Sequence, residues 1–232
     1  MLYATNLAGD DLGRYLVPGA TNYDWEDIAL APCLEDQGDC LYIADTGDNL
    51  ERRRTVMLYI VPEPGARPRP AANDDPARVT ARARAIRVKY PDGAHDVEAM
   101  WVEPNGAVQL VSKGWNGPIR RYRVPRTALD RDTATAEVLD RLPIVPQRAL
   151  GRLVTGAAIS PSGERVAIRT YAEVFFYRRA GDRRLEEEGA PCWLGTLEPQ
   201  GEGIAFLEDS TLVLTSEGVL GEPGSIHKVR CE

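Results

Sequence analysis

The chain has little of what most enzyme active sites are made from. It holds two histidines, three phenylalanines and four cysteines in 232 residues. No Cys-x-x-Cys occurs, and His95 and His227 are not at ligand spacing from any cysteine. The sequence therefore does not point to a zinc site of the ordinary kind. There is no Gly-x-Ser-x-Gly elbow, no phosphate-cradling glycine loop and no His-Glu-x-x-His. No apolar run approaches the roughly 20 residues of a membrane span. Basic charge is also short. A net charge of -7 disfavours nucleic acid and anionic membrane as partners. The densest basic run, Arg52–Arg54, reads as a solvated loop. No basic region followed by an apolar core opens the chain, so no signal peptide is expected within it.

Helical periodicity is scarce too. The one helix-like piece is Arg126–Asp130. What remains is a succession of apolar or alternating runs, five to eight residues long, punctuated by Gly, Pro, Asn and Asp. That is the signature of strands and turns. One stretch recurs: Asp24–Leu30, then Asp96–Val102, Val154–Ser160 and Gly201–Phe206. Each copy carries a polar residue near its start (Glu26, Glu98, Thr155, Glu202), ends apolar, and leads through a turn into a second apolar run. Later strands also correspond, as in Met57–Pro62 against Arg121–Pro125. A four-stranded antiparallel unit repeated radially is a propeller blade. The fold expected is all-β, one β-propeller domain of four to five four-stranded antiparallel blades. The repeats fall at about 1–20 (partial), 21–91, 92–143, 144–195 and 196–232. Long outer strands are expected over Val79–Tyr90 and Thr135–Leu142, and a loop over Gly65–Pro76. The strand count leaves two readings of the start. Leu12–Val17 completes the last blade, or the first blade is incomplete, lacking its two inner strands in an N-terminally shortened chain.

The cysteines pair naturally. Cys33 and Cys40 flank a polar loop between adjacent strands, and a Cys192–Cys231 bond would pin the last strand. Disulfides imply an oxidising compartment, extracellular or periplasmic.

Several pieces together resemble an uncharacterised family of secreted bacterial β-propeller proteins. They are Asp24–Ala29, Asp45–Asn49, His95–Ala99, Val111–Lys113, Ile159–Gly163, Arg169–Tyr171 and Gln200–Ala205. That family is distantly similar in architecture to calcium-dependent lactonase and phytase-like propellers. The resemblance implies fold and export more than chemistry.

Inner-strand starts crowd round the central channel of a propeller. Glu26, Glu98 and Glu202 would repel one another there unless a cation sits between them, and calcium suits such oxygen ligands. Thr155, Lys113, Arg169, Tyr171 and Asp45 are the other polar residues expected to line the channel, with Lys113 and Arg169 as counter-charges. An ion-pair network without metal is the competing reading. Asp27 should point to the other face of its strand, toward an arginine of Arg52–Arg54. His95 is the candidate general base. Trp25, Trp101, Trp115 and Trp193 read as packing residues between blades, with Trp115 partly exposed. Two functions follow. The first is a secreted, monomeric module that binds a small molecule or protein, with an acidic channel mouth that holds a cation or small ligand. The second is a calcium-assisted hydrolase of an ester, lactone or phosphoester.

Overall fold

The computed structural model describes residues 1–35, 38–65, 76–195, 198, 200–218, 221 and 223–231. The loop expected over Gly65–Pro76 lies outside these, apart from its two ends. Alternating apolar residues produce short antiparallel strands, and each meander buries one face against the next.

Strands β1 (Leu2–Thr5) and β2 (Asp11–Leu16) pair first. Then β3 (Trp25–Pro32), β4 (Asp39–Asp45) and β5 (Val56–Pro62) form a meander. The chain returns through β6 (Arg78–Val79), which lies parallel to β2, before β7 (Arg84–Lys89) joins β5. The next blade repeats this path with β8 (Val97–Val102), β9 (Val108–Ser112) and β10 (Arg120–Val124). A short β11 (Thr133–Thr135) lies parallel to β7, and β12 (Glu137–Arg141) then closes on β10. The following blade has β13 (Val154–Ile159), β14 (Arg165–Thr170) and β15 (Glu173–Arg179). Its outer edge is shared by β16 (Leu185–Glu187) and β17 (Cys192–Trp193), both against β15. The last is β18 (Gly201–Glu208), β19 (Thr211–Ser216) and β20 (Ser225–Val229). The protein is a five-bladed β-propeller.

Two expectations are corrected. Val79–Tyr90 and Thr135–Leu142 are not continuous outer strands. Each begins on the preceding blade and then crosses to its own. The alternation does not mark the crossing because the connecting residues keep extended pairing: Thr80 donates to the Leu16 carbonyl, and Ala136 to that of Lys89. Nor does β2 complete the last blade. Among the described residues it pairs with β1 and β6 alone. Among the described residues the first blade is a sheet of its own, made of β1, β2 and β6. Because β6 attaches to β2 as β11 attaches to β7, β2 holds the fourth-strand place and β1 the third.

The core is four successive clusters between neighbouring blades. Tyr42, Leu58, Met100 and Leu110 belong to one, Val111, Val154 and Ile168 to the next, and Val174, Ile204 and Leu214 to the third. Val17, Ile43, Tyr59 and Val61 pack between the first two blades. Both expected disulfides are present, Cys33–Cys40 across the β3–β4 hairpin and Cys192–Cys231 tying β17 to the residues after β20. Trp101 is buried, as packing requires, but Trp193 is exposed on the edge strand β17.

The separations are 7 and 39 residues. Loop entropy makes the second bond worth about 4 kcal/mol and the first about 2.5 kcal/mol. Replacing each pair by serine should therefore lower unfolding free energy more for Cys192/Cys231 than for Cys33/Cys40. Urea titration of the two variants checks the order.

Candidate functional site

The recurring stretch is a recurring β-bulge. In β3 the register steps from Trp25↔Asp45 to Asp27↔Ala44, leaving Glu26 unpaired. It steps from Val97↔Ser112 to Ala99↔Val111 around Glu98, from Val154↔Thr170 to Gly156↔Arg169 around Thr155, and from Gly201↔Ser216 to Gly203↔Thr215 around Glu202. A bulge inserts one residue and re-aims its side chain. Four inner strands thus carry their polar residue at the same bulged place.

Glu26 and Glu98 open into a cavity of about 410 Å³, together with Glu202 and Glu217. Lys113, Tyr171, Trp25 and the exposed Trp115 also line it. Oxygens of Glu26, Asp96 and Glu98 lie within 4.8 Å of one another. Lys113 Nζ donates to Glu98 Oε1 at 2.7 Å. Asp96 is buried; its Oδ1 accepts the Asp48 amide at 2.8 Å, while its Oδ2 has no hydrogen-bond partner. Asp24 adds a further negative charge, and Gly47 packs so closely on Glu26 and Asp24 that any Cβ there would overlap both carboxylates.

The electrostatics follow from crowding. Burial, then Glu98 and Asp24, push the Glu26 carboxyl far above the usual carboxylate range. Glu98 is also raised, by burial first, with Lys113 pulling against it and Asp96 adding to it. Burial raises Asp96 and Glu202 as well. Burial works against the Lys113 ammonium, but the Glu98 carboxylate holds it charged above its ordinary range. Burial and the facing Glu202 carboxylate push Tyr171 up to about 12.

The expected residues divide. Lys113 and Tyr171 line the cavity, as does Glu202, although Asp96 rather than Glu202 completes the tight carboxylate trio. Asp45 does not line it; its carboxylate accepts the Tyr23 and Asp24 amides at 3.2 Å and pairs with Arg53 at 3.0 Å, shaping the turn beneath. Thr155 is buried and donates to the Gly201 carbonyl at 2.9 Å, joining two blades. Arg169 is buried against Glu198 and donates to the Gly203 carbonyl at 2.7 Å, so it anchors the last blade, and from behind the cavity its charge favours the ionised Glu202. Burial lowers its pKa, with Glu198 opposing.

Asp27 contacts no arginine of Arg52–Arg54. Its Oδ2 accepts the amides of Met100 at 2.7 Å and Ala157 at 3.2 Å, and its Oδ1 accepts that of Ile28 at 2.8 Å. One carboxylate therefore ties three inner strands. Burial pushes this group up to about 8, against the amides, which favour its charged form. Beyond it the channel turns apolar, in a cavity of about 450 Å³ that includes Ile28, Met100, Ala157 and Ile204. His95 lies elsewhere. Its Nε2 is 3.2 Å from Asp92 Oδ1, and its ring packs on Tyr90 and Tyr122 beside a separate cavity of about 90 Å³.

No protein-family model matches the chain, and no curated protein matches it. Among solved structures it is similar to a gluconolactonase of Xanthomonas campestris, at 13% identity over 81% of this chain and 57% of that one, with a TM-score of 0.44. It is also similar to a periplasmic gluconolactonase of Pseudomonas aeruginosa, at 11% identity over 88% and 72%, with a TM-score of 0.40. The chain thus spans little more than half the length of the first of these. The likeness is one of shape, and no residue role is carried over from it.

A carboxyl raised in the folded state binds more protons there than in the unfolded chain. The stability it contributes is present below the ordinary carboxylate range and is lost as pH rises through the raised value. In metal-free buffer at pH 8, Glu26→Gln should therefore stabilise the protein by about 1–2 kcal/mol, and the gain should shrink toward pH 5. Denaturant midpoints of the two proteins at both pH values measure this; a gain that is equal at both would contradict the charge-crowding account.

Proposed function

We propose that the protein is an exported propeller whose acidic channel mouth binds a hard divalent cation, calcium in the first instance, and with it a small polar ligand in the adjoining cavity. One observation carries this reading. Three carboxylates, Glu26, Asp96 and Glu98, bring oxygens within 4.8 Å of one another with one ammonium, Lys113, to balance them. The donor set fits calcium. All three are oxygen ligands, Asp96 keeps a buried oxygen without a hydrogen-bond partner, and carbonyls or water complete such a shell. Two disulfides and no free cysteine among the described residues support export.

The chain's own groups divide the remaining work. Lys113 holds Glu98 in place. Gly47 leaves room for Glu26 and Asp24. Glu202, with Gln200 Nε2 donating to it at 3.3 Å, faces the opposite side of the cavity beside Tyr171. When bound, the cation would polarise a carbonyl or phosphoryl oxygen of a ligand. The second reading, hydrolysis of an ester, lactone or phosphoester, is favoured by Glu202, a proton acceptor that faces the cavity from across the carboxylate trio.

Calorimetry of the chelator-treated chain with calcium should give saturable heat. Calcium at about 100 times Kd should stabilise the fold by about 2.7 kcal/mol, raising Tm by about 5–10 °C at this size. Asp96→Asn keeps an acceptor for the Asp48 amide but loses the charge, and should abolish both effects. No heat and no Tm shift in the parent chain would remove the metal. The hydrolase reading further requires calcium-dependent turnover of an aryl ester or simple lactone that Asp96→Asn lacks.

A further inference from the structure

Asn-Gly occurs twice in the chain, at Asn105–Gly106 and Asn116–Gly117. In this pair the asparagine side chain is open to attack by the next backbone nitrogen, because glycine has no Cβ to shield it. Both asparagines are exposed, and both lie in turns of the third blade, so exposure does not separate them. Hydrogen bonding does.

Asn105 is tied down. Its Nδ2 donates to Asp182 Oδ2 and its Oδ1 accepts the Ala107 amide, each at 3.0 Å. The Gly106 nitrogen donates to the Glu103 carbonyl at 2.7 Å. A Cβ at Gly106 would lie 2.9 Å from Arg126 Cδ, so the backbone is crowded as well. Asn116 has none of this. Among the described residues its side chain makes no hydrogen bond, and the Gly117 nitrogen makes none either. Nothing lies within 4 Å of the place a Cβ would take at Gly117. Bonds to nearby backbone hold an asparagine side chain in place, and Asn116 lacks them.

We propose that Asn116 is a site of spontaneous deamidation, which writes an acidic residue into the turn that carries Trp115 to the acidic cavity, while Asn105 is held intact. The Gly117 nitrogen gives up its proton to solvent base and bonds to Asn116 Cγ. The Cγ–Nδ2 bond breaks, and that nitrogen takes up a proton and leaves as ammonia. Water then opens the succinimide ring. Opening at Cγ gives aspartate. Opening at the backbone carbonyl carbon gives isoaspartate, whose main chain runs through Cγ and is longer by the Cβ carbon. Water is the only co-reactant, and nothing is oxidised or reduced. Either product carries a carboxylate beside Arg120 and His95, which share the cavity of about 90 Å³ with Asn116. Isoaspartate also displaces Trp115, which lines both this cavity and the acidic one and has the Arg148 guanidinium 3.5 Å over its ring.

The test holds the whole disulfide-bonded chain in mildly alkaline buffer and follows both sites by peptide mapping, with an isoaspartate methyltransferase and labelled methyl donor to count the isoaspartate. Each hydrogen bond broken costs roughly fivefold in population, so Asn105 should convert on the order of a hundredfold more slowly than Asn116. In urea the two rates should come together, since each asparagine then faces only its glycine. The indole N–H resonance of Trp115 should shift in step with conversion. It should stay in place in an aged Asn116→Gln protein, whose longer side chain does not readily close the same ring. Equal rates at the two sites in the folded chain would overturn the proposal, as would an Asn116 that converts only in urea. An unmoved Trp115 resonance in the converted protein would overturn the link to the acidic cavity.

Discussion

Side chains along a strand alternate between two faces, and an inner propeller strand needs both faces for packing. A polar group for the channel must therefore break the alternation. The bulges at Glu26, Glu98, Thr155 and Glu202 do this at one place in four strands. Each inserts a residue that belongs to neither face, after which alternation resumes and apolar residues return to the interblade clusters. Without the insertion, turning Glu98 to the channel would carry Met100 out of the core. The site and the core are compatible only because of that extra residue.

Bringing carboxylates together in this way works against folding. Burial and mutual repulsion raise Glu26, Glu98, Asp96 and Glu202, and Lys113 offsets only part of the excess. Stability is recovered in the layer beneath. Asp27 gathers amides from β3, β8 and β13, Thr46 donates to the Val97 carbonyl at 2.7 Å, and Arg169 reaches across to the last blade. Polar residues one step away from the cavity thus serve as ties between blades. Asp27, Thr46 and Arg169 make these ties largely through backbone amides and carbonyls of neighbouring strands.

Much of the architecture was legible from period-two alternation and turn glycines, because these are local. The recurrence of Glu26, Glu98 and Glu202 led to the cavity for the same reason. Asp96 was overlooked, although Asp24-Trp25-Glu26 and Asp96-Val97-Glu98 repeat one Asp-x-Glu spacing that could have marked it. The depth of Arg169 was not legible because position along a strand does not give it; the telling residue is Gly201, where the guanidinium occupies the space a Cβ would need. The parallel crossings of β6 and β11 leave no pattern in composition, since extended residues look alike whichever sheet they join. His95 drew notice for its chemistry, yet Asp92, Tyr90 and Tyr122 hold it away from the acidic cavity.

Those crossings have a mechanical consequence. Strand β6 leaves the second blade to finish the first, and β11 leaves the third to finish the second. The unit that melts together is then not the repeat written in the sequence, but that repeat plus a strand lent by its successor. A local opening that begins in the third blade strips the outer edge of the second as it spreads. Such overlap, like roof tiles laid edge over edge, makes the boundaries between repeats poor places to cut the chain.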